Sequence, residues 1–129
     1  MGGYRIRGVG LDAVKIGRIN CQRMSRHIIA RLFHPLEVSE LLKLKSGQEE
    51  FLASRYAAKE ALVKALGSGF RGIYPSDIAV VTNAAGAPSF KLSAQILQRF
   101  NLEEALIHLS LTHEASLALA FVVVEEHCG

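Results

Sequence analysis

The sequence has only two cysteines, no long hydrophobic segment and no internal repeat, and each shortage excludes a class of protein. Cys21 and Cys128 lie far apart and form no C-x-x-C pair, so we expect two free thiols rather than a disulfide framework or a zinc knuckle. The longest apolar run, Leu117 to Val124, is much shorter than the ~20 residues that a membrane helix requires. The first residues carry no apolar signal-peptide region. We therefore expect a cytoplasmic protein without a membrane span.

The length and composition are those of one globular domain. The chain has 129 residues, half of them hydrophobic, and a domain of this size can bury roughly two thirds of the surface of its unfolded chain. No low-complexity segment or linker-like stretch divides the sequence. We predict a single domain over residues 1–129.

Positive charge is concentrated at the start of the chain. The net charge is +3. Up to Arg31, however, the only acidic residue is Asp12, and it stands against seven basic residues: Arg5, Arg7, Lys15, Arg18, Arg23, Arg26 and Arg31. Such a cluster can attract nucleic acid, an anionic membrane or an acidic protein, or it can be a solvated surface. Nucleic-acid binding is the weakest alternative, because interleaved exposed aromatics and a recognised motif are both lacking.

The hydrophobic pattern predicts an α+β fold with a largely antiparallel sheet packed on a long helix. Strands and helices do not alternate as they do in βαβ proteins. The first half is predicted to contain a strand from Tyr4 to Leu11 that ends at Asp12, one or two helices within Lys15 to Leu32, a short helix from Pro35 to about Ser46-Gly47, and a long helix from Gln48 to Leu66. A hairpin of Ile78 to Thr82 and Ser89 to Leu92 follows, and then a short helix from Ser93 to Phe100. Two final strands, Ala105 to Thr112 and Leu117 to Glu125, are predicted around a turn of residues 113–116.

The long helix carries a polar stripe. At about 100° per residue, Tyr56, Glu60 and Lys64 fall on one side, and apolar residues such as Leu62 fall on the other. We expect the polar side to face away from the core. Glu60 and Lys64 could be a surface ion pair that contributes only ~0.3–0.5 kcal/mol, or they could bring a metal ion and a phosphate together. The helix by itself favours the ion pair.

A second motif, G-V-G-L-D from Gly8 to Asp12, ends in a carboxylate. A carboxylate between a strand and a helix can be held rigidly enough to bind a hard cation, although so short a motif is weak by itself. Four further segments follow it in the chain: Arg18-Ile19, F-L-A-S-R-Y-A-A-K-E-A-L-V-K-A-L-G-S-G from Phe51 to Gly69, Gly86-Ala87-Pro88, and S-L-T-H-E from Ser110 to Glu114. In this order the segments resemble the bacterial holo-acyl-carrier-protein synthases of the 4′-phosphopantetheinyl transferase superfamily.

The resemblance covers nearly the whole chain and implies a magnesium-dependent transferase. Members of the family move 4′-phosphopantetheine from coenzyme A to a serine of apo acyl carrier protein, release adenosine 3′,5′-bisphosphate and so support fatty acid biosynthesis. Asp12 and Glu60 match the family's magnesium ligands, and Glu60 and Lys64 its catalytic residues. Two carboxylates, diphosphate oxygens and waters would together form the octahedral oxygen shell that magnesium prefers.

The resemblance also implies binding residues for both substrates. The residues that match coenzyme A contacts are Arg55, Lys64, Gly67, Ser68, Pro88 and His113. Arg55 matches a contact with the 3′-phosphate. Because it lies on a different side of the helix from Glu60, it must serve a distant group or a neighbouring subunit. Tyr56 and His108 are interpreted as packing or surface residues.

The same resemblance implies a binding partner for the basic cluster, because acyl carrier proteins are acidic. Arg18 matches a carrier-protein contact, and Arg23 and Arg26 would extend the patch along the same helical region. Small members of the family assemble as homotrimers with sites between subunits, and we expect the same here.

Some features depart from the family or stay open. Basic residues often stand where this chain has Ser46-Gly47-Gln48, and threonine often stands at the position of His34, which puts the affinity for coenzyme A in doubt. A metal-dependent nuclease could also use the two carboxylates and the lysine, but its usual acid-x-lysine signature lies on a strand. A non-catalytic trimeric binding module would not need both carboxylates. The serine proton could go to Glu60, Asp12 or a metal-bound water, and the carrier protein served and the tolerance of acyl-coenzyme A are not specified.

Overall fold

Ten regular elements lie in residues 2–20 and 23–129, the part of the chain that the computed structural model describes. They are β1 (Tyr4–Lys15), α1 (Arg26–Leu32), α2 (Pro35–Lys43), α3 (Gln48–Leu66), a 3-10 helix (Pro75–Asp77), β2 (Ile78–Thr82), β3 (Pro88–Leu92), α4 (Ala94–Arg99), β4 (Leu106–Glu114) and β5 (Leu117–His127). All strand pairs are antiparallel within these ranges. The α+β fold class with a long central helix is therefore confirmed.

The strands form two sheets rather than one. The larger sheet has the order β1-β5-β4, and β2 pairs with β3 in a separate hairpin. Because side chains alternate along a strand, each strand of the larger sheet has an inner and an outer face. On β5, Ala118, Ala120, Val122 and Val124 are buried on the inner face, whereas Phe121 lies on the outer face and is 46% exposed.

Helix α3 packs on the inner face of the larger sheet, and two glycines of β1 allow it to come unusually close. A Cβ atom on Gly10 would lie 1.8 Å from the carbonyl oxygen of Ala61, and one on Gly8 would lie 1.9 Å from that of Ala65. No side chain fits there, so strand and helix backbones are in direct contact. Asp12 follows Gly10 by two residues and therefore points to the same inner face.

A buried ion pair connects the remaining elements to α3. Lys59 and Glu37 are both at most 1% exposed, and their charged groups are hydrogen-bonded to each other. The ammonium group of Lys59, which has three N–H donors, also has three backbone carbonyls within hydrogen-bond distance, those of Leu32, Pro75 and Ile78. Burial lowers the pKa of Lys59, and the charge of Glu37 opposes that shift. The pair is satisfied on all sides, as a buried charge must be, and it holds α1, α2 and β2 against the long helix.

The predicted helices within Lys15 to Leu32 are largely wrong. β1 continues through Asp12 to Lys15, because Ala13 and Val14 pair with Leu119 and Ala118 of β5. A turn follows, with Gly17 at a φ of +96°, and of the residues that the structure describes in this stretch only 26–32 are helical. Asp12 therefore lies within a strand and not at its end.

The bounds of most other elements lie close to those predicted from the sequence. The long helix has the predicted bounds, and the hairpin and α4 agree within one residue at each end. His113 belongs to β4 rather than to the following turn. In the described residues no helix is long and apolar enough to cross a membrane. Cys128 is a free, exposed thiol, and Cys21 lies outside the described residues.

Candidate active site

Asp12 and Glu60 line one cavity of about 360 Å³ between β1 and α3. Asp12 comes from the inner face of the edge strand, and Glu60 comes from the polar side of the helix. The close approach at Gly10 brings these two elements together. The two residues selected as magnesium ligands are thus on the wall of the same cavity.

Lys64 faces this cavity from one turn further along α3. Its ammonium group lies 2.9 Å from Oδ1 of Asp12 and 3.1 Å from the carbonyl oxygen of Leu11. Glu60 is not its ion-pair partner, because the lysine reaches across to the strand instead. The polar side of α3 therefore borders the edge of the sheet, and it faces away from the core as expected, with Lys64 exposed and Glu60 half-buried.

Tyr56 completes the wall of the cavity with Arg18. Its ring packs against the hydrophobic core. Burial, followed by the influence of the neighbouring Glu60 carboxylate, raises the pKa of Tyr56 to about 12. The hydroxyl therefore stays protonated at neutral pH. The interpretation of Tyr56 as a packing residue is confirmed, and its side chain also lines this cavity.

The carboxylate oxygens in this cavity suit a hard divalent cation whose other oxygen ligands come from a substrate and from water. Carboxylates are preferred ligands of magnesium, and magnesium is usually held by one or two of them together with substrate phosphates and waters. Within the described part of the chain no group of three or more His, Cys, Asp or Glu side chains could hold a metal ion. Asp12 and Glu60 thus fit a metal shared with a phosphorylated ligand rather than a closed structural site.

Arg55 lines a second cavity, of about 450 Å³. Its guanidinium stacks on the ring of Phe51 at 4.2 Å from the centroid, and Nη1 donates to Oγ of Ser54 at 3.1 Å. Its buried Nε has no hydrogen-bond partner among the described residues. Burial lowers the pKa of Arg55, while the charges of Glu37 and Glu40 oppose the shift. A charged donor with an unused N–H at a cavity wall is suited to bind an anion.

Pro88 and His113 lie on the wall of the same cavity as Arg55. His113 points inward from β4, and Pro88 begins β3 after a loop in which Oδ1 of Asn83 accepts hydrogen bonds from two backbone amides, those of Ala85 and Ala87. The cavity therefore gathers three of the predicted coenzyme A residues from α3, the hairpin and the sheet.

Gly67 and Ser68 lie elsewhere. Gly67 caps α3 in the left-handed conformation that glycine favours, and its N–H bonds to the carbonyl of Lys64 at 3.0 Å. Ser68 donates its hydroxyl to the carbonyl of Gly69. Neither residue lines the cavity of Arg55 or that of Glu60, and both stand at the end of the helix near Lys64.

The three candidate carrier-protein residues do not share a helix. Arg18 is in the turn after β1, Arg23 is in the irregular segment before α1, and Arg26 is the first residue of α1. The prediction that Arg18 and Arg23 share a helical region with Arg26 is wrong, because both lie in turns before α1 begins. Arg18 also lines the cavity of Asp12 and Glu60.

The two cavities lie at opposite edges of the larger sheet. The cavity of Asp12 borders β1, and the cavity of Arg55 borders β4, while β5 separates these two strands. On α3, Arg55 and Glu60 are five residues apart, which turns their side chains roughly 140° away from each other. The sequence-based expectation that Arg55 and Glu60 face different sides is confirmed.

A family model describes the chain from its first glycine motif onward. The model of the 4′-phosphopantetheinyl transferase superfamily matches residues 8–122, so the chain belongs to this superfamily of transferases. The match includes every candidate site residue. The resemblance stated from the sequence motifs is thereby confirmed.

Individual relatives agree with the family. A protein of Halothermothrix orenii named holo-[acyl-carrier-protein] synthase is 41% identical over 125 residues, which cover 94% of this chain and 98% of the relative. The crystal structure of the synthase from Neisseria meningitidis has a TM-score of 0.85 at 31% identity and covers 95% of this chain and 100% of that one. A synthase from Bacillus anthracis in complex with CoA (3′,5′-ADP) has a TM-score of 0.78 at 32% identity and covers 94% and 97%.

Proposed function

We propose that this chain transfers the 4′-phosphopantetheine group of coenzyme A to a serine hydroxyl of an apo acyl carrier protein, the activity for which its relatives are named. The observation that carries the proposal is the cavity in which Asp12 and Glu60 meet beside Lys64, in a chain of the transferase superfamily. The serine oxygen forms a new bond to the pantetheine-side phosphorus, and the bond from that phosphorus to the departing adenosine 3′,5′-bisphosphate breaks.

Asp12 and Glu60 would hold a magnesium ion at the diphosphate. Bound there, magnesium would neutralise negative charge on the transferring phosphate. Lys64 is the catalytic cation of the chain itself. Its ammonium group, now paired with Asp12 at 2.9 Å, can pair with a phosphate oxygen that enters the same cavity, since lysine binds phosphate as a mobile point charge. Glu60 would be the second catalytic residue, because its carboxylate is one of the groups that can accept the proton that the serine hydroxyl loses, the others being Asp12 and a water on the metal.

The rest of coenzyme A would occupy the cavity of Arg55. The unused Nε of Arg55 supports an assignment to the 3′-phosphate, with His113 and Pro88 beside the nucleotide. Gly67 and Ser68 would contribute backbone and hydroxyl donors near Lys64 at the end of α3. Ser46, Gly47 and the exposed Thr82 add small or uncharged groups to the wall.

The acidic carrier protein would dock on the basic surface formed by Arg18, Arg23 and Arg26. Since Arg18 borders the carboxylate cavity, a carrier bound there has its serine close to the reacting phosphorus. Complementary charges of this kind mainly increase the rate and specificity of association. We place the reaction in the cytoplasm and in fatty acid biosynthesis.

We further propose a homotrimer with sites between subunits. The outer face of the larger sheet carries contiguous apolar side chains that nothing in the described chain covers, namely Ile6, Val9, Leu11, Leu106, Leu117 and Phe121. Apolar patches of this kind mark protein interfaces. A head-to-tail ring would bring the β4 edge of one subunit to the β1 edge of the next, and so join the cavity of Arg55 to the cavity of Glu60.

The experiment that tests the function follows the release of adenosine 3′,5′-bisphosphate by chromatography. The protein, coenzyme A, Mg²⁺ and an apo carrier protein should release the nucleotide, and a carrier whose acceptor serine is replaced by alanine should not. Asp12→Ala and Glu60→Ala should each lower the rate by about 100-fold or more, because metal stabilisation of a transferring phosphate amounts to several kcal/mol. The matched control is Glu103→Ala, which removes an exposed carboxylate outside both cavities. Release that does not need the acceptor serine would contradict the proposal.

A further inference from the structure

The hairpin of β2 and β3 supplies one wall of the cavity that contains Arg55, although it is not part of the larger sheet. Thr82, Gly86 and Pro88 line this cavity, and among the described strands β2 pairs with β3 alone. A two-stranded hairpin is only marginally stable by itself in water. Contacts with other elements must therefore fix the distance between these wall residues and Arg55.

Two buried side chains take the place of a neighbouring strand along the edge of β2 that β3 does not pair. Oε2 of Glu37, on α2, accepts a hydrogen bond from the backbone N–H of Val80 at 3.1 Å. Nζ of Lys59, on α3, lies 2.9 Å from the carbonyl oxygen of Ile78. Glu37 and Lys59 are in turn hydrogen-bonded to each other. The buried pair therefore attaches β2 to both helices.

Glu37 also acts on Arg55, and it does so by its charge. Arg55 precedes Lys59 by one turn of α3, so two cations are neighbours on the helix. Burial lowers the pKa of Arg55, and the charge of Glu37 opposes this shift. The carboxylate oxygens of Glu37 accept from Lys59 and from the backbone N–H groups of His34 and Val80. The counter-charge thus leaves Nε of Arg55 without a partner among the described residues, and open to a ligand.

We propose that Glu37 is a positioning residue for nucleotide binding: its bond to Val80 holds the hairpin wall at the distance from Arg55 that a nucleotide bisphosphate requires. The inference rests on the proposed function, because it takes the cavity of Arg55 as the nucleotide site. Glu37 is 1% exposed and does not line that cavity, so it has no contact with the ligand. Without this bond, binding would have to order the hairpin as well, and the affinity would fall.

The test removes the buried ion pair without leaving one charge behind. Glu37→Leu combined with Lys59→Met puts apolar groups of similar size in the core, which proteins commonly tolerate, but Val80 loses its acceptor. Glu37→Gln combined with Lys59→Met removes the same charges and keeps a side-chain oxygen for that N–H. The dissociation constant of adenosine 3′,5′-bisphosphate is measured by isothermal titration calorimetry without carrier protein.

The Leu/Met double variant should bind the nucleotide about 10-fold more weakly than the unaltered protein, as expected for one lost hydrogen bond. The Gln/Met double variant should bind within about 3-fold of the unaltered protein. Hydrogen exchange should become faster in residues 78–92 of the Leu/Met variant and stay unchanged in β5. Equal nucleotide affinities of the two folded double variants would overturn the proposal.

Two further variants separate the hydrogen bond from the charge and from folding. Val80→Pro deletes the N–H and keeps the ion pair, and proline is tolerated at a strand edge that pairs with no other strand. It should weaken nucleotide binding as much as the Leu/Met variant, and unchanged binding would overturn the proposal even if that variant does not fold. Glu40→Gln is the matched control, since the exposed Glu40 acts on Arg55 by charge. This control should bind the nucleotide at least as tightly as the unaltered protein.

The transfer assay distinguishes failure of this inference from failure of the proposed function. If the unaltered protein transfers no phosphopantetheine but binds the nucleotide with this dependence on Glu37, the proposed function fails and the role of Glu37 stands. If transfer occurs and both folded double variants bind the nucleotide alike, the role of Glu37 fails and the function stands. A protein that binds no nucleotide would contradict both.

Discussion

At the scale of single residues, Arg55 has a buried hydrogen-bond donor that no group in the described chain satisfies. Its guanidinium is stacked on Phe51 and bonded to Ser54, yet Nε is buried without a partner. A buried donor left unsatisfied costs free energy that a bound acceptor recovers. The residue is therefore prepared for an anion, and the 3′-phosphate of coenzyme A is the anion that the proposed function supplies.

This assignment predicts a defect that depends on one phosphate of the substrate. Arg55→Ala should raise the KM for coenzyme A about 10-fold or more, because a hydrogen bond to a charged group contributes about 1.5–3 kcal/mol. With dephospho-coenzyme A, which lacks the 3′-phosphate, the variant and the unaltered protein should have similar KM values in the same steady-state assay. An equal defect with both substrates would show that Arg55 serves another group or the fold.

At the scale of elements, the contact between β1 and α3 determines the geometry of the carboxylate cavity. Gly8 and Gly10 leave room for the helix carbonyls of Ala65 and Ala61. The motif G-V-G-L-D is thus explained by packing: the glycines let the helix approach, and Asp12 follows at the point where the approach brings it beside Glu60 and Lys64.

A methyl group at this contact should disturb both stability and the site. Gly10→Ala would overpack the interface at a cost of ~1–3 kcal/mol, and the displaced strand would carry Asp12 away from Glu60. We expect a lower denaturation midpoint and a higher Mg²⁺ requirement in the transfer assay. Gly3→Ala is the control, because a Cβ there meets nothing within 4 Å. A Gly10→Ala protein with an unchanged midpoint and unchanged Mg²⁺ requirement would contradict this account of the motif.

The elements also show what a sequence can and cannot predict. The bounds of α3 follow from its composition and from the two glycines that flank it. Gly47 and Gly67 are both in the left-handed conformation, which ends a helix. The extension of β1 to Lys15 depends instead on pairing with β5, about a hundred residues later, and no local pattern reveals that. The burial of Lys59 likewise depends on Glu37, which lies on another helix.

At the scale of the whole molecule, the exposed apolar face and the two separated cavities have a common explanation. Leu11 is 61% exposed and Phe121 is 46% exposed on the outer face of the sheet. An assembly that covers this face and closes into a ring would bring unlike sheet edges together. Such a ring both removes the apolar patch from water and joins the halves of the site.

Assembly and site sharing are tested separately. Phe121→Arg should lower the mass in solution, measured by light scattering, from three times the 14.1 kDa of one chain to that of one chain. Leu42→Arg is the control, since Leu42 is 79% exposed but lies on α2 away from the sheet. A single-chain mass for the unaltered protein would contradict the trimer.

Mixing two impaired variants tests whether sites lie between subunits. Arg55→Ala, assayed at low coenzyme A concentration where its raised KM limits the rate, and Glu60→Ala are produced together in one cell. If a site takes Arg55 from one subunit and Glu60 from its neighbour, mixed trimers contain intact sites and activity returns. If both residues of a site come from one chain, every site keeps a defect, and the mixture stays as inactive as the separate variants.

The central claim, that the chain modifies a carrier protein at the Asp12 and Glu60 cavity, is tested most directly by the intact mass of the carrier. Apo acyl carrier protein is incubated with coenzyme A, Mg²⁺ and the protein, and its mass is measured with and without a chelator. The account predicts a gain of one phosphopantetheine group that requires Mg²⁺ and is lost in a folded double variant with Asp12→Ala and Glu60→Ala. An unmodified carrier, or an equal gain with the double variant, would contradict it.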